Sequence, residues 1–105
     1  MLKNLGSIVQ QAKQVKENMA KAEQELTNTY VTGKSASNMV QVTMNCKGDF
    51  ENIKIDPICL DDKDMLEDLI LLALRDVRSQ ANEKTAVVMR EATGGIDLPP
   101  GMLPF

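Results

Sequence analysis

From Leu5 to Leu26, apolar residues recur at Leu5, Ile8, Ala12, Val15, Met19, Ala22 and Leu26, an unbroken alternation of three- and four-residue steps over three heptads. A stripe of that period lies along one face of an α-helix and is the seam pattern of a coiled coil. Gln, Lys, Glu and Asn fill the positions between, so the other faces are solvated, and Ala12 and Ala22 let a partner backbone come close. At ~1.5 Å per residue, a helix over about 2–26 is ~37 Å long. That matches the whole diameter expected of a globule of 105 residues, so the helix is expected to overhang its own domain.

The period then drops from 3.6 to 2. Thr29 to Thr32 is β-branched and aromatic, Gly33 to Asn38 is small and polar, and Val40, Val42, Met44 and Cys46 alternate with Gln41, Thr43 and Asn45. Lys47-Gly48-Asp49 reads as a turn, and Phe50 to Asp56 as a strand with Ile53 and Ile55 on one side, stopped by Pro57. Strands over about 28–32, 39–46 and 50–56 joined by such short connections must be antiparallel, because a parallel crossover takes a dozen residues or more.

A second long helix, about 62–93, is expected to cover one face of this meander. Its start is marked by Asp64-Met65-Leu66-Glu67, a D-x-x-E capping pattern, and its end by Gly94-Gly95. Leu66, Leu69, Ile70, Ala73, Val77 and Ala81 form one stripe, yet Leu71, Leu72 and Leu74 occupy the remaining angles. A segment apolar nearly all round needs burial on two sides. The sheet supplies one side; a second copy of the chain is expected to supply the other in a twofold homodimer, with Val40, Val42, Leu66, Leu69, Ile70, Leu72, Ala73, Leu74 and Val77 as its interface. The expected class is α+β, in the order α-β-β-β-α, as one domain over 1–97. A Pro-rich tail over 98–105 follows, outside regular structure and expected to be disordered.

Composition narrows the chemistry. The chain has no His and no Trp, which removes the commonest neutral-pH general base and metal ligand and the best aromatic cage. Cys46 and Cys59 lack C-x-x-C spacing and are expected to be reduced, buried apolar residues, and Met1 to Gly6 does not resemble a signal peptide. The longest apolar run, Leu69 to Leu74, falls far short of the ~20 residues of a membrane span. The expectation is a cytoplasmic protein with no catalytic activity, cofactor, metal or small-molecule substrate.

Val31-Thr32-Gly33, Met39-Val40-x-Val42, Ile53-x-Ile55-Asp56-Pro57, Asp64-Met65-Leu66-Glu67-Asp68-Leu69 and Leu98-Pro99-Pro100-Gly101, in this order over essentially the whole chain, resemble the YbaB/EbfC family of bacterial nucleoid-associated proteins. The resemblance implies a tweezer-shaped homodimer in which paired sheets form the body and helices project from it. It implies a DNA-binding protein without catalysis, located on the nucleoid. The chain departs from the family pattern at Lys34-Ser35-Ala36-Ser37-Asn38, where a Gly-rich loop is usual, near Asn45-Cys46, where a Gly is common, and at Val77, where a small residue is usual.

Net charge is −3 with a pI near 4.9, which opposes bulk attraction to a polyanion. The negative charge is localised. Asp56 to Asp68 carries Asp56, Asp61, Asp62, Asp64, Glu67 and Asp68 against Lys63. These carboxylates fit the start of a helix, whose dipole and free N–H groups they complement, and match neither a Ca²⁺ loop nor an acid–base pair. Candidate phosphate contacts are Lys3, Lys13, Lys16 and Lys21 on the first helix, interleaved with Gln10, Gln14 and Gln24, and Arg75, Arg78 and Lys84 on the last, with Asn82 and Arg90 nearby. The bland alternative is a solvated face with Lys13, Glu17 and Lys21 as i,i+4 ion pairs. No helix-turn-helix, zinc-finger or RNP signature is present, so duplex binding of low sequence specificity is expected. The rival is a protein-interaction or chaperone-like module in which the seam and Met102, Leu103 and Phe105 clasp another protein.

Overall fold

In a computed structural model, the structure describes the backbone of residues 2–94 and the side chains of residues 6–94; the tail over 98–105 lies outside them. The elements run α1 (Leu2–Thr27), β1 (Tyr30–Lys34), a 3₁₀ turn (Ala36–Asn38), β2 (Val40–Asn45), β3 (Phe50–Ile55), a second 3₁₀ turn (Pro57–Asp61) and α2 (Lys63–Ala92). The sheet is the expected antiparallel meander, in the order β1-β2-β3.

β1 lies two residues later than its expected place. The Asn28 side chain donates to the Gln24 carbonyl (3.1 Å) and the Thr29 hydroxyl to the Glu25 carbonyl (2.7 Å), so both residues finish the helix before the strand begins. The strand then continues through Gly33 and Lys34, which pair with Val42 and Gln41. Gly33 is required there by close approach: a Cβ at this position would lie 2.3 Å from the Val77 nitrogen and 2.4 Å from the Ala73 oxygen, backbone atoms of α2. The cap of α2 also differs from expectation. Asp62, not Asp64, caps the helix, accepting a 3.0 Å bond from the Met65 N–H; Asp64 falls inside the first turn, where its charge favours the dipole.

α2 crosses the inner face of the sheet over β1 and β2. Val40, Val42, Met44 and Cys59 interdigitate there with Leu69, Ala73, Val77 and Ala81, the Val, Leu and Met side chains contributing about 1.5–3 kcal/mol each of transfer free energy. Five residues expected at a dimer interface, Val40, Val42, Leu69, Ala73 and Val77, are thus buried in the chain's own core. Their stripe is the one the sheet itself needs, and they have no area left to offer a second copy.

Beyond the sheet, α2 runs on beside α1. Ala22 and Leu26 pack against Val88, Met89 and Ala92, with Met19 and Cys46 at the margin, so this second core uses the C-terminal end of the heptad seam. Cys46 touches both cores. Asn45 locks the junction: its Nδ2 donates to the Thr27 carbonyl (3.0 Å), and its Oδ1 accepts from the N–H groups of Lys47 (3.0 Å) and Asp49 (2.9 Å) in the β2–β3 turn. The molecule is elongated, 71 × 21 × 17 Å.

Candidate nucleic-acid interface

The two edges of the sheet differ. At β1 the outward-facing backbone groups are taken by α2: Asp76 Oδ2 accepts from the Lys34 N–H (2.8 Å), and Gln80 Nε2 donates to the Thr32 carbonyl (2.8 Å) while also bonding Asp76 (3.0 Å). That edge is sealed against further strands. β3 forms the other edge. α2 does not reach over it, so Phe50 and Ile53, on the core side of the sheet opposite Met44 and Val42, remain 62% and 49% exposed. They continue into Ile70, Leu71 and Leu74 of α2, of which Leu71 is exposed and Ile70 and Leu74 half-buried; Leu72, also exposed, lies on the opposite flank of the helix, towards Asp76 and β1. The uncovered apolar side expected of α2 therefore exists, and it includes Phe50 and Ile53 of β3.

Next to this patch lies a concavity of about 480 Å³ between the β2–β3 turn and the outer face of α2, lined among others by Lys47, Phe50, Leu71, Arg75, Arg78 and Asn82. Among the described residues no carboxylate lines it. Leu71, Arg75, Arg78 and Asn82 are spaced four, three and four apart and so share one helix face. Lys47, absent from the sequence expectations, is brought there by the turn, and it also pairs with Glu23 of α1 at 3.7 Å. Nothing in linear spacing links Lys47 to Arg75; the signal was the short β2–β3 connection.

The α1 candidates lie elsewhere. Lys13, Lys16 and Lys21 are exposed; at ~100° per residue, Lys13 and Lys21 stand opposite the seam and Lys16 on its shoulder. The side chain of Lys3 lies outside the described residues. The expected Lys13–Glu17–Lys21 ion pairs do not form. Among the described residues the ion pairs are Lys47–Glu23 and Lys63–Glu67, both at 3.7 Å, and Lys13, Lys16, Lys21, Arg75, Arg78 and Lys84 are in neither. Antiparallel packing of α1 on α2 sets Lys13 about 30 Å along the axis from Arg78, so the candidates form two groups, one on the body and one on the projecting arm. Lys84 sits between them, near Cys46: burial pushes the Cys46 thiol above its ordinary 9.0, and the Lys84 ammonium pulls it back.

The acidic run is at the other end. Ile55, just before Asp56, pairs with Val40, whereas α1 meets the sheet at Asn45, the opposite end of β2. Among the described residues no group of three or more His, Cys, Asp or Glu is arranged to hold a metal, and no helix is long and apolar enough to cross a membrane.

Residues 1–96 match the model of the YbaB/EbfC DNA-binding family. The chain belongs to that family. Among similar proteins, a nucleoid-associated protein of Rhodospirillum rubrum is 43% identical over 99% of this chain and 100% of its own length. A nucleoid-associated protein of Bordetella avium is 45% identical over 96% of this chain and 95% of its own. The crystal structure of an uncharacterized protein from Helicobacter pylori has the same fold, with a TM-score of 0.70 at 24% identity, covering 87% of this chain and 95% of that one.

Proposed function

We propose that this YbaB/EbfC protein binds duplex DNA on the nucleoid as a homodimer, without catalysis and with low sequence specificity, by contacts to phosphates. One observation carries this reading. In a family defined by DNA binding, this acidic chain holds Lys13, Lys16 and Lys21 on the arm and Arg75 and Arg78 on the outer face of α2, none of them in an ion pair and all away from the acidic run. Phosphate contacts fix position without reading bases, and the sequence carries no helix-turn-helix, zinc-finger or RNP signature.

The homodimer rests on the uncovered patch of Phe50, Ile53 and Leu71. Exposed apolar area of this kind marks an interaction surface, and a twofold copy offers the same patch in return. Of the interface residues expected from sequence, Leu66, Ile70, Leu72 and Leu74 retain exposure, Leu72 on the β1 flank of α2; Phe50, Ile53 and Leu71 join Ile70 and Leu74 in the patch.

Titration of a fluorescent duplex between 50 and 200 mM salt tests the reading. Three or four phosphates per chain give six to eight per dimer, and affinity should then fall by about 10³–10⁴. Duplexes of unrelated sequence should bind within a few-fold of one another. Lys13→Glu combined with Lys16→Glu should abolish binding while sedimentation still shows the dimer. Binding indifferent to salt, or none at 50 mM, refutes the phosphate mode; a monomer at micromolar concentration refutes the dimer.

A further inference from the structure

The concavity between the β2–β3 turn and α2 is more than a cationic surface. Its rim carries Lys47, Arg75 and Arg78, all exposed, with no carboxylate among the described residues. Its floor is apolar, built by the buried side chains of Met44, Val77 and Ala81, and Phe50, 62% exposed, stands in its wall. At about 480 Å³ it falls within the ~300–1,000 Å³ range of small-ligand sites. A surface that only gripped backbone phosphates would use the cations and leave the hollow behind them without a purpose.

Cations at the mouth, an apolar interior and an exposed ring together match the two halves of a nucleotide. The planar guanidinium fork of Arg takes phosphate oxygens bidentately, and an aromatic ring takes the face of a base. Asn82, four residues beyond Arg78 and on the same helix face, adds an amide with both donor and acceptor for a base edge. A base inside a duplex has both faces covered by its neighbours, so the ring and the hollow are open only to one outside the stack. The site is separable from the surface assigned to the dimer. Phe50 and Leu74 also line the apolar hollow of Ile53 and Ile70, whereas none of the rim cations does. Phe50 thus stands on the ridge between the two.

We propose that this concavity holds one unpaired nucleotide of DNA, its base against Phe50 and its flanking phosphates on Arg75, Arg78 and Lys47. The inference rests on the DNA-binding reading above. The arm then holds paired backbone about 30 Å away, and the body gives the protein a preference for duplexes that carry an extrahelical base.

The test is fluorescence anisotropy of the full chain with three labelled duplexes of common flanking sequence. One is fully paired, one has a single bulged adenine, and one has a bulged abasic nucleotide, which keeps the charge and flexibility of the bulge without the base. The adenine bulge should bind at least about fivefold tighter than the abasic one. Phe50→Leu, which keeps apolar bulk, should erase that difference. Lys47→Met, outside the dimer patch, should weaken the adenine bulge at least about threefold more than the paired duplex. Equal affinity for the two bulges, with salt-dependent binding of the paired duplex intact, overturns the site and leaves the phosphate reading standing. An adenine preference that survives both variants also overturns it, and no binding of any duplex at 50 mM salt overturns both readings. Free dAMP, titrated calorimetrically, should bind at least about a hundredfold more weakly than the adenine bulge; comparable affinity assigns the site to free nucleotides and overturns the DNA assignment.

Discussion

Gly33→Ala adds one methyl group at the tightest point of the molecule. The new Cβ would stand 2.3 Å from the Val77 nitrogen, 2.4 Å from the Ala73 oxygen and 2.5 Å from the Val77 Cβ. Two of these atoms are helix backbone, which no rotamer change can move aside, so α2 and β1 must separate by about 1 Å along a buried seam. Overpacking of this kind costs about 1–3 kcal/mol; the backbone clash places Gly33→Ala near 3. The retreat also stretches the Asp76 and Gln80 bonds that seal β1. At an m-value of ~2 kcal/mol/M, the urea midpoint should drop by more than 1 M, measured at one fixed protein concentration. Val77→Ala tests the cause. Alanine keeps its Cβ, so this change removes none of the three close atoms and itself loses about 2 kcal/mol by deleting buried methyl volume; the double variant should recover less than half of the Gly33→Ala loss. An unchanged midpoint for Gly33→Ala, or full rescue by Val77→Ala, would refute the backbone contact.

Leu26→Ala should cost about 3 kcal/mol, because Leu26 is buried at the centre of the α1–α2 core; urea unfolding with hydrogen exchange should show α1 loosening before the sheet, and a loss below about 0.5 kcal/mol would refute that core. Cys46, raised by burial and lowered by Lys84, should react with iodoacetamide at pH 8.5 more slowly in the folded chain than in urea, and more slowly still in Lys84→Met. The sign for stability follows: the unfolded chain gives up this proton first, so the contribution is intact below pH 9 and falls as pH rises towards the folded value. Equal alkylation rates in both states would contradict it.

Period and length carried most of the architecture. Two helices and three antiparallel strands were legible because the seam of α1 and the alternation of β2 have no other regular solution. The misplacements have local causes. β1 shifted because Asn28 and Thr29 bond helix carbonyls, a choice that strand propensity does not register. The cap moved from Asp64 to Asp62 because Asp61, Asp62 and Asp64 offer several equivalent caps, and only the entry angle from Pro57–Asp61 selects among them. The apolar surplus on α2 was visible in Leu71, Leu72 and Leu74. What periodicity could not show was which stripe the sheet would take, and hence that Phe50 and Ile53, not Val40 and Val77, are left over. The cationic groove was half legible: the spacing of Arg75, Arg78 and Asn82 was, but the arrival of Lys47 depends on the fold of a turn.

How a chain of net charge −3 approaches a polyanion is a question of distance. Lys13 lies fourteen residues up α1 from Thr27, about 21 Å, and β2 adds about 16 Å between Asn45 and Val40, the end where Asp56 begins the acidic run. The arm and the acidic pole are thus about 35–40 Å apart on a molecule 71 Å long. The Debye length at physiological salt is about 8 Å, so the carboxylates are screened from phosphates held at Lys13 or Lys21 by several decay lengths. Net charge then governs solubility and the repulsion between whole molecules, while binding is set by the local cations. It follows that neutralising Asp61, Asp62 and Asp64 together to Asn should change duplex affinity by less than about threefold at 150 mM salt, whereas a single charge removed at Lys13 should cost more. A larger gain from the acidic end would mean that the two poles lie closer together on the bound assembly than along one chain.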